Sequence, residues 1–387
     1  MTGEDGLTDG PLALEASCPS CGAPVGAGDS FCESCGTELA PPMVSTAPPG
    51  YLAECPVCSV DPEVPPGVIT AEGYCESCGR KVPSGRDHSE LDLGLLAGVT
   101  DRGLRHTRNE DAMALAAADA PGGPMAIAVV CDGVSTSPRP DDASLAAAQA
   151  SVRALLTSVR RGDDPAEASL AAVQVAHQAL TGISSPGEAP SATYISAVVD
   201  SGAVTVCWLG DSRAYWLSTG PDAIRLSTDD SLAEELVARG AMSEAQALAS
   251  PQAHVITRWL GADLADLEPH VVRFEPPGPG VVLVCSDGLW NYRPEAPGLA
   301  ELALPAAFTD PLGTAAELVK FALDAGGMDN ITVVLAPFPL APFPEEPPHP
   351  KTVPVRRPTT LPRRTPHDRL RLHCRRRPEP VPARGRA

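Results

Sequence analysis

Three apolar, β-rich runs of this chain each stop on an aspartate. AVVCDG sets Asp132 before Gly133, CWLGDS sets Asp211 before Ser212, and VLVCSDG sets Asp287 before Gly288. A fourth acid, Asp329 in GGMDNITVVL, stands where another such run begins. Carboxylates at the ends of buried strands are held rigidly and partly desolvated. If the fold gathers them they repel, and they then need cations. An all-oxygen donor set selects hard ions, namely Mg²⁺, Mn²⁺ or Ca²⁺. Two such ions about 4 Å apart activate a water and hold a phosphoryl group for in-line attack. Taken singly, each Asp-Gly is a turn signal. Four acids at strand ends, together with Glu110–Asp111 in GLRHTRNED, constrain the fold far more tightly than a turn does.

The region from about Gly94 to Ala336 alternates strand and helix character. The runs 125–131, 193–199, 204–210, 281–286 and 331–336 read as strands, and 143–159, 165–182 and 231–240 read as helices. The last helix has a Ser start and a Gly stop, as capping requires. After Pro337 the sequence is rich in Pro and Arg without periodicity and reads as disordered.

Eight of the 12 cysteines fall in the first 80 residues, in two groups parted by a Pro-rich linker. Cys18, Cys21, Cys32 and Cys35 are spaced C-x2-C-x10-C-x2-C; Cys55, Cys58, Cys75 and Cys78 are spaced C-x2-C-x16-C-x2-C. A C-x2-C turn lets two thiolates reach one ion, and two turns complete the tetrahedron that Zn²⁺ accepts. The other reading, a disulfide framework, needs an oxidising compartment. No basic-then-apolar signal segment opens the chain, so the cytoplasm is the expected location. Each group resembles a zinc ribbon, and together they resemble the double zinc ribbons of bacterial proteins. Four thiolates per site leave no open position, so two structural Zn²⁺ ions are expected, with the ribbons as a docking module for a protein partner.

The formal charge is −20, unevenly spread. From Pro337 onward 12 Lys/Arg face 4 Asp/Glu, a charge of +8 that leaves −28 on the rest. An acidic body of that kind argues against general nucleic-acid binding, which needs clustered cations. The basic tail either meets acidic partners or nucleic acid, or is a neutral solvated extension. No run of about 18 apolar residues appears, so no membrane span is expected.

In order, the segments NEDA, CDG, SATYISAVV, GDSRAY, TDDSLAEELV, HVITRWLG, CSDGL and DNITVVL resemble the bacterial metal-dependent protein phosphatases, the type-2C serine/threonine family, over about residues 94–336. The resemblance implies an α+β fold, a four-layer αββα sandwich of two antiparallel sheets flanked by helices, here preceded by two small zinc ribbons. The division expected is a disordered N-terminus (1–16), a first ribbon (17–40), a Pro-rich linker (41–53), a second ribbon (54–83), a linker (84–93), the phosphatase domain (94–337) and a disordered basic tail (338–387).

Carried over by position, the resemblance implies that Asp132 bridges two Mn²⁺ or Mg²⁺ ions, with the Gly133 carbonyl on one of them. Asp287 and Asp329 complete one metal site. Glu110 serves the other through water, and Asp111 orients metal-bound water. Asp211, with Asp287, contributes to a third, weaker site, and Asn330 steadies the Asp329 loop. The implied reaction is direct attack of a metal-bridging water or hydroxide on phosphoserine or phosphothreonine in protein substrates. Residues 231–260 correspond to a flap beside the active site.

Where the family places a phosphate-gripping arginine, this chain has His106. If the segment is extended, His106, Arg108 and Glu110 share a face, so Arg108 either assists His106 or pairs with Glu110. An imidazole is a weaker, pH-dependent phosphate ligand than a guanidinium. This leaves room for a phosphatase-like binding protein with little turnover. Cys207–Arg213 has the C-x5-R spacing of cysteine-dependent phosphatases, but such loops need small residues whose amides wrap a phosphate, and this one carries Trp208, Leu209 and an acidic Asp211 that would repel it. Cys131, Cys207 and Cys285 therefore read as core residues.

Overall fold

The computed structural model describes residues 85–341 except 220–221, 244–245, 248–249, 251–254 and 265–266, and before them residues 16–17, 21, 23–25, 34–35, 43–46, 69–70, 74–79 and 82. The first strands are β1 (Ala16–Ser17), β2 (Pro24–Val25), β3 (Met43–Thr46), β4 (His88–Asp92), β5 (Ala97–Asp101), β6 (Asp111–Ala120) and β7 (Gly123–Asp132). Helices α1 (Pro140–Arg161) and α2 (Pro165–Ile183) follow, then β8 (Ser191–Ala192), β9 (Tyr194–Val199), β10 (Val204–Leu209), β11 (Arg213–Leu217) and β12 (Ile224–Arg225). Next come α3 (Leu232–Ala238), β13 (Leu260–Gly261), β14 (His270–Phe274) and β15 (Gly280–Cys285). The described chain closes with α4 (Asp287–Trp290), α5 (Ala296–Ala303), α6 (Pro311–Ala325) and β16 (Ile331–Phe338).

Two six-stranded antiparallel sheets carry the fold, ordered β14-β10-β9-β7-β6-β3 and β12-β11-β15-β16-β5-β4. Strand alternation sends odd and even residues to opposite faces. On β6, Met113, Leu115 and Ala117 meet the other sheet, where Trp216, Val282, Val284 and Val334 complete a core between the sheets. The even residues Ala112, Ala114, Ala116 and Ala118 pack outward under α1 and α2, against Ala143, Ala147, Val152 and Leu155. The second sheet mirrors this, with Val281, Leu283, Val333 and Leu335 packed outward against Leu299, Leu318 and Val319 of α5 and α6. The order is helix, sheet, sheet, helix: the expected αββα sandwich. Each aliphatic side chain so buried stabilises it by roughly 1.5–3 kcal/mol.

Local sequence starts and stops the outer helices. On α1, Pro140 leads, Asp141 and Asp142 occupy the first turn, Arg160 and Arg161 the last, and Gly162 closes it at φ 82°. On α2, the Asp164 side chain accepts from the amides of Ala166 and Glu167. Ser231 caps α3 by accepting from the Glu234 amide.

Two stretches read as linkers instead carry strands. Residues 43–46 form β3, which pairs antiparallel with β6 at 114–117. Residues 88–92 form β4, paired with β5 from His88↔Asp101 to Asp92↔Ala97. Both extend a sheet edge, where unpaired backbone groups are open to another strand. The basic tail beyond residue 341, Cys18, Cys32, Cys55 and Cys58 lie outside the described residues, whereas Cys21, Cys35, Cys75 and Cys78 lie within them. The amide of Gly79 donates to the Cys75 carbonyl at 2.7 Å, the tight turn that C-x2-C-G spacing calls for. Among the described residues no helix is long and apolar enough to cross a membrane.

Candidate metal centre

Register brings the acids to one end of the sandwich. Asp111, first residue of β6, lies opposite Asp132, last residue of β7. Cys285 at the end of β15 pairs with Arg213 and Val333, so Asp287, Asp211 and Asp329 leave the second sheet at the same end. Asp132, Gly133, Asp211, Asp287 and Asp329 line one cavity of about 460 Å³, with Val134, Ser135, Thr136 and Thr193 and with Val255, Ile256 and Trp259 from the expected flap.

The glycines after two of these aspartates permit close backbone approach. A Cβ at Gly133 would strike the carbonyl oxygens of Pro140 and Glu110, and one at Gly288 would strike the Asn330 carbonyl. Asp287-Gly288 accordingly opens helix α4 instead of making a turn, and sets Asp287 beside the loop that carries Asp329.

Hydrogen bonds fix the surroundings. Asp111 Oδ2 accepts from Ser286 Oγ and Thr332 Oγ1, each at 2.7 Å. The Asp132 amide donates to Thr193 Oγ1 at 3.0 Å, and that hydroxyl meets Ser212 Oγ at 2.9 Å. Asn330 ties two loops: its Oδ1 accepts from the Glu110 amide at 2.7 Å, and its Nδ2 donates to the carbonyls of Arg102 and Arg108 at 2.8 and 3.1 Å.

Burial, and then the neighbouring acids, push the Asp132 and Asp287 carboxyls well above the usual range. Burial raises Asp111 to about 6, against the hydroxyl donors Thr332 and Ser286. Burial and then Asp229 raise Asp211 to about 7, opposed by Arg213. Asp111 Oδ1 is buried without a hydrogen-bond donor. Among the described residues, no three His, Cys, Asp or Glu side chains are already gathered as ligands around one point. The carboxylates instead face a shared cavity and repel across it. An all-oxygen donor set, desolvated and mutually repelling, fits hard divalent cations.

The residues on the 102–110 loop stand differently. His106 Nε2 lies 3.1 Å from Asp329 Oδ1. Arg108 Nε donates to Glu110 Oε1 at 2.9 Å, and Ser135 Oγ donates to Glu110 Oε2 at 2.5 Å. Glu110 is buried beside the cavity and is not among its lining residues. Of the two readings left open for Arg108, the geometry shows the pairing with Glu110.

Two features had no counterpart in the sequence reading. Asp230 Oδ1 meets Arg258 and His270, both at 2.8 Å, while its Oδ2 accepts from the Gly210 amide at 3.0 Å, which fastens the flap segment to the turn bearing Asp211. Buried Arg213 makes paired bonds to Asp229 and lies 3.5 Å over the Trp290 ring, whose Nε1 donates to the Asp211 carbonyl at 3.0 Å. The adjacent acids of TDDS and the arginine of GDSRAY were visible; their partners lie tens of residues away and leave no local pattern. Cys131, Cys207 and Cys285 are buried in the strands, and burial pushes the Cys207 thiol up to about 12, which removes it as a nucleophile.

Comparison with known proteins agrees with this geometry. A family model described as protein phosphatase 2C matches residues 102–320, more than half of the chain, and a zinc-ribbon domain model matches residues 17–39. The chain is 32% identical over 145 residues to a serine/threonine phosphatase, stp, of Listeria innocua, covering 37% of this chain and 55% of the other. It thus spans about half the length of the curated relative it matches. The crystal structure of the Mycobacterium tuberculosis serine/threonine phosphatase PstP/Ppp aligns with a TM-score of 0.52 at 28% identity, over 62% of this chain and 97% of that one. The catalytic domain of PstP in complex with two manganese ions aligns with a TM-score of 0.51 at 26% identity, over 62% and 97%. This chain belongs to the protein phosphatase 2C family.

Proposed function

We propose that the chain is a metal-dependent serine/threonine protein phosphatase acting on phosphorylated proteins. The observation that carries this reading is the convergence of Asp132, Asp211, Asp287 and Asp329 on one cavity. Asp132, Asp287 and Asp329, with the Gly133 carbonyl and Glu110, would hold two Mn²⁺ or Mg²⁺ ions, and Asp211 would serve a third, weaker site. Bound there, such ions activate a water and neutralise the phosphoryl charge. Asp111, held by Ser286 and Thr332 through Oδ2, keeps its buried second oxygen free of hydrogen bonds and would orient water held by the ions. His106, 3.1 Å from Asp329, would meet the phosphate, and Val255, Ile256 and Trp259 wall the cavity. Asn330 keeps the Glu110 and Asp329 loops in register.

We further propose that the two cysteine groups each hold a structural Zn²⁺ and form a docking module. A cytoplasmic location keeps those thiols reduced. Two equivalents of zinc per chain by elemental analysis would support the first point; a count of none or one would contradict it.

One observation favours a second reading, a phosphatase-like binding protein with little turnover: Glu110 is engaged by Arg108 and Ser135 instead of lining the cavity. Hydrolysis of p-nitrophenyl phosphate and of a phosphothreonine peptide, with and without Mn²⁺, separates the two. The enzyme reading expects turnover that depends on the metal. Its absence would leave the binding reading.

A further inference from the structure

The short segment that leads from the second cysteine group into the domain is fastened to the 102–110 loop. Asn109 Nδ2 donates to the Arg86 carbonyl at 3.0 Å, and the Arg102 amide donates to the Asp87 carbonyl at 2.8 Å. Arg102 Nε also lies 3.6 Å from Asp87 Oδ2. The Arg86 side chain, only 12% exposed, turns to the first turn of α1, where it donates to the Asp141 carbonyl oxygen. Its NH1 lies 3.6 Å from Asp141 Oδ2 and 3.8 Å from Asp142 Oδ1.

The other oxygen of Asp141 faces Arg108, with Oδ1 and Arg108 NH1 3.6 Å apart. Arg108 therefore stands between two carboxylates, nearer to Glu110 at 2.9 Å than to Asp141. Charges thus alternate along one path: Arg86, Asp141, Arg108, Glu110. Glu110 then meets Ser135 on the cavity wall. Which carboxylate holds Arg108 depends on how far the charge of Asp141 is already compensated, and Arg86 supplies that compensation.

We propose that Arg86 is a positioning residue for the metal centre: by neutralising Asp141 it leaves Arg108 on Glu110, and so sets how readily Glu110 serves a divalent cation. The inference rests on the phosphatase reading only in taking Glu110 as part of the metal site. With Arg86 removed, Asp141 draws Arg108 away, and the buried Glu110 carboxylate, losing its guanidinium, gains affinity for the ion beside it. The direction is opposite to that of structural damage, which would weaken metal binding.

The test is calorimetric titration of the full chain with Mn²⁺ alone, which needs no turnover. Arg86→Ala is expected to bind Mn²⁺ about two- to fivefold more tightly, the range for one partly exposed charge pair, while Arg86→Lys stays near wild type. A through-space effect of losing one positive charge would survive in an Asp141→Asn background. The proposal expects the Arg86→Ala gain to vanish there. Equal or weaker binding by Arg86→Ala with an unchanged melting temperature, or a gain that persists beside Asp141→Asn, would overturn it. If Arg86→Ala does not fold, Asp141→Asn alone decides, with weaker Mn²⁺ binding expected and equal or tighter binding contrary. A wild-type chain that takes up no Mn²⁺ would remove the function reading and this inference together, whereas uptake indifferent to Arg86 and Asp141 removes the inference only.

Discussion

The two sides of the centre solve the problem of buried charge in different ways. Asp111, Asp132 and Asp287 sit on or next to strands paired on both sides, where neither side chain nor backbone can retreat, and their carboxyls are driven up by burial and by one another. Glu110 and Asp329 sit on connecting loops, and each has a basic side chain within reach: Arg108 on Glu110, His106 on Asp329. On the proposed function the strand-borne acids await an ion, and their loop-borne neighbours already have basic partners that an ion or a substrate would displace.

The comparison is sharpest at Asp132. Asp132→Asn should lower kcat/KM for a phosphothreonine peptide by at least about 1000-fold, since metal-ion catalysis supplies several kcal/mol. The same change should raise the melting temperature of the metal-free protein at pH 7.5, because it removes a carboxyl whose ionisation burial and the neighbouring acids disfavour. A less stable metal-free variant would show that Asp132 is a structural acid like any other.

Next in size is the support of Asp111. Replacing Ser286 and Thr332 together by Ala removes both hydroxyl donors from Oδ2, and hydrogen bonds to charged groups contribute roughly 1.5–3 kcal/mol each. About tenfold loss of kcat with little change in KM is expected from steady-state kinetics. Loss confined to KM would mean that Asp111 binds substrate instead.

The third difference appears in pH dependence. In the folded, metal-free protein Asp111 and Asp211 keep their protons to about pH 6 and 7, whereas the unfolded chain loses its own near pH 4. Between these values the folded state binds more protons, so metal-free stability falls as pH rises through the window. Mn²⁺ should then raise the melting temperature more at pH 7.5 than at pH 5, by about 5 °C or more. Equal shifts at both pH values, read by differential scanning fluorimetry, would contradict the raised carboxyls.

Much of this architecture was legible in the chain. Runs such as VVLVCS and ITVVLA are β-branched, and the first ends and the second begins beside an acid, so both the strands and the site announce themselves. DAMALAAADA did not: alanine favours helix, and only pairing with β7 on one side and β3 on the other makes it strand β6. Helices α5 and α6 also went unread, although α6 buries Thr314, Ala315, Leu318, Val319 and Ala322 at helical spacing. The acids of the site were visible because each ends or begins a strand. The Asp230 hub and the Arg86–Asp141–Arg108 path were not, because their partners meet only in three dimensions.

The smallest effect is expected at His106, on the loop-borne side. His106→Arg should lower KM for the phosphopeptide a few-fold, since a guanidinium grips a phosphate through paired donors where an imidazole offers one. Unchanged KM would place His106 outside the phosphate's reach.

The most direct test of the central claim is anomalous diffraction at the manganese edge from crystals of the full chain grown with Mn²⁺. The account predicts two strong peaks in the cavity between Asp132, Asp287 and Asp329, with Asp132 next to both. No peak there, or manganese bound only elsewhere on the acidic surface, would contradict it.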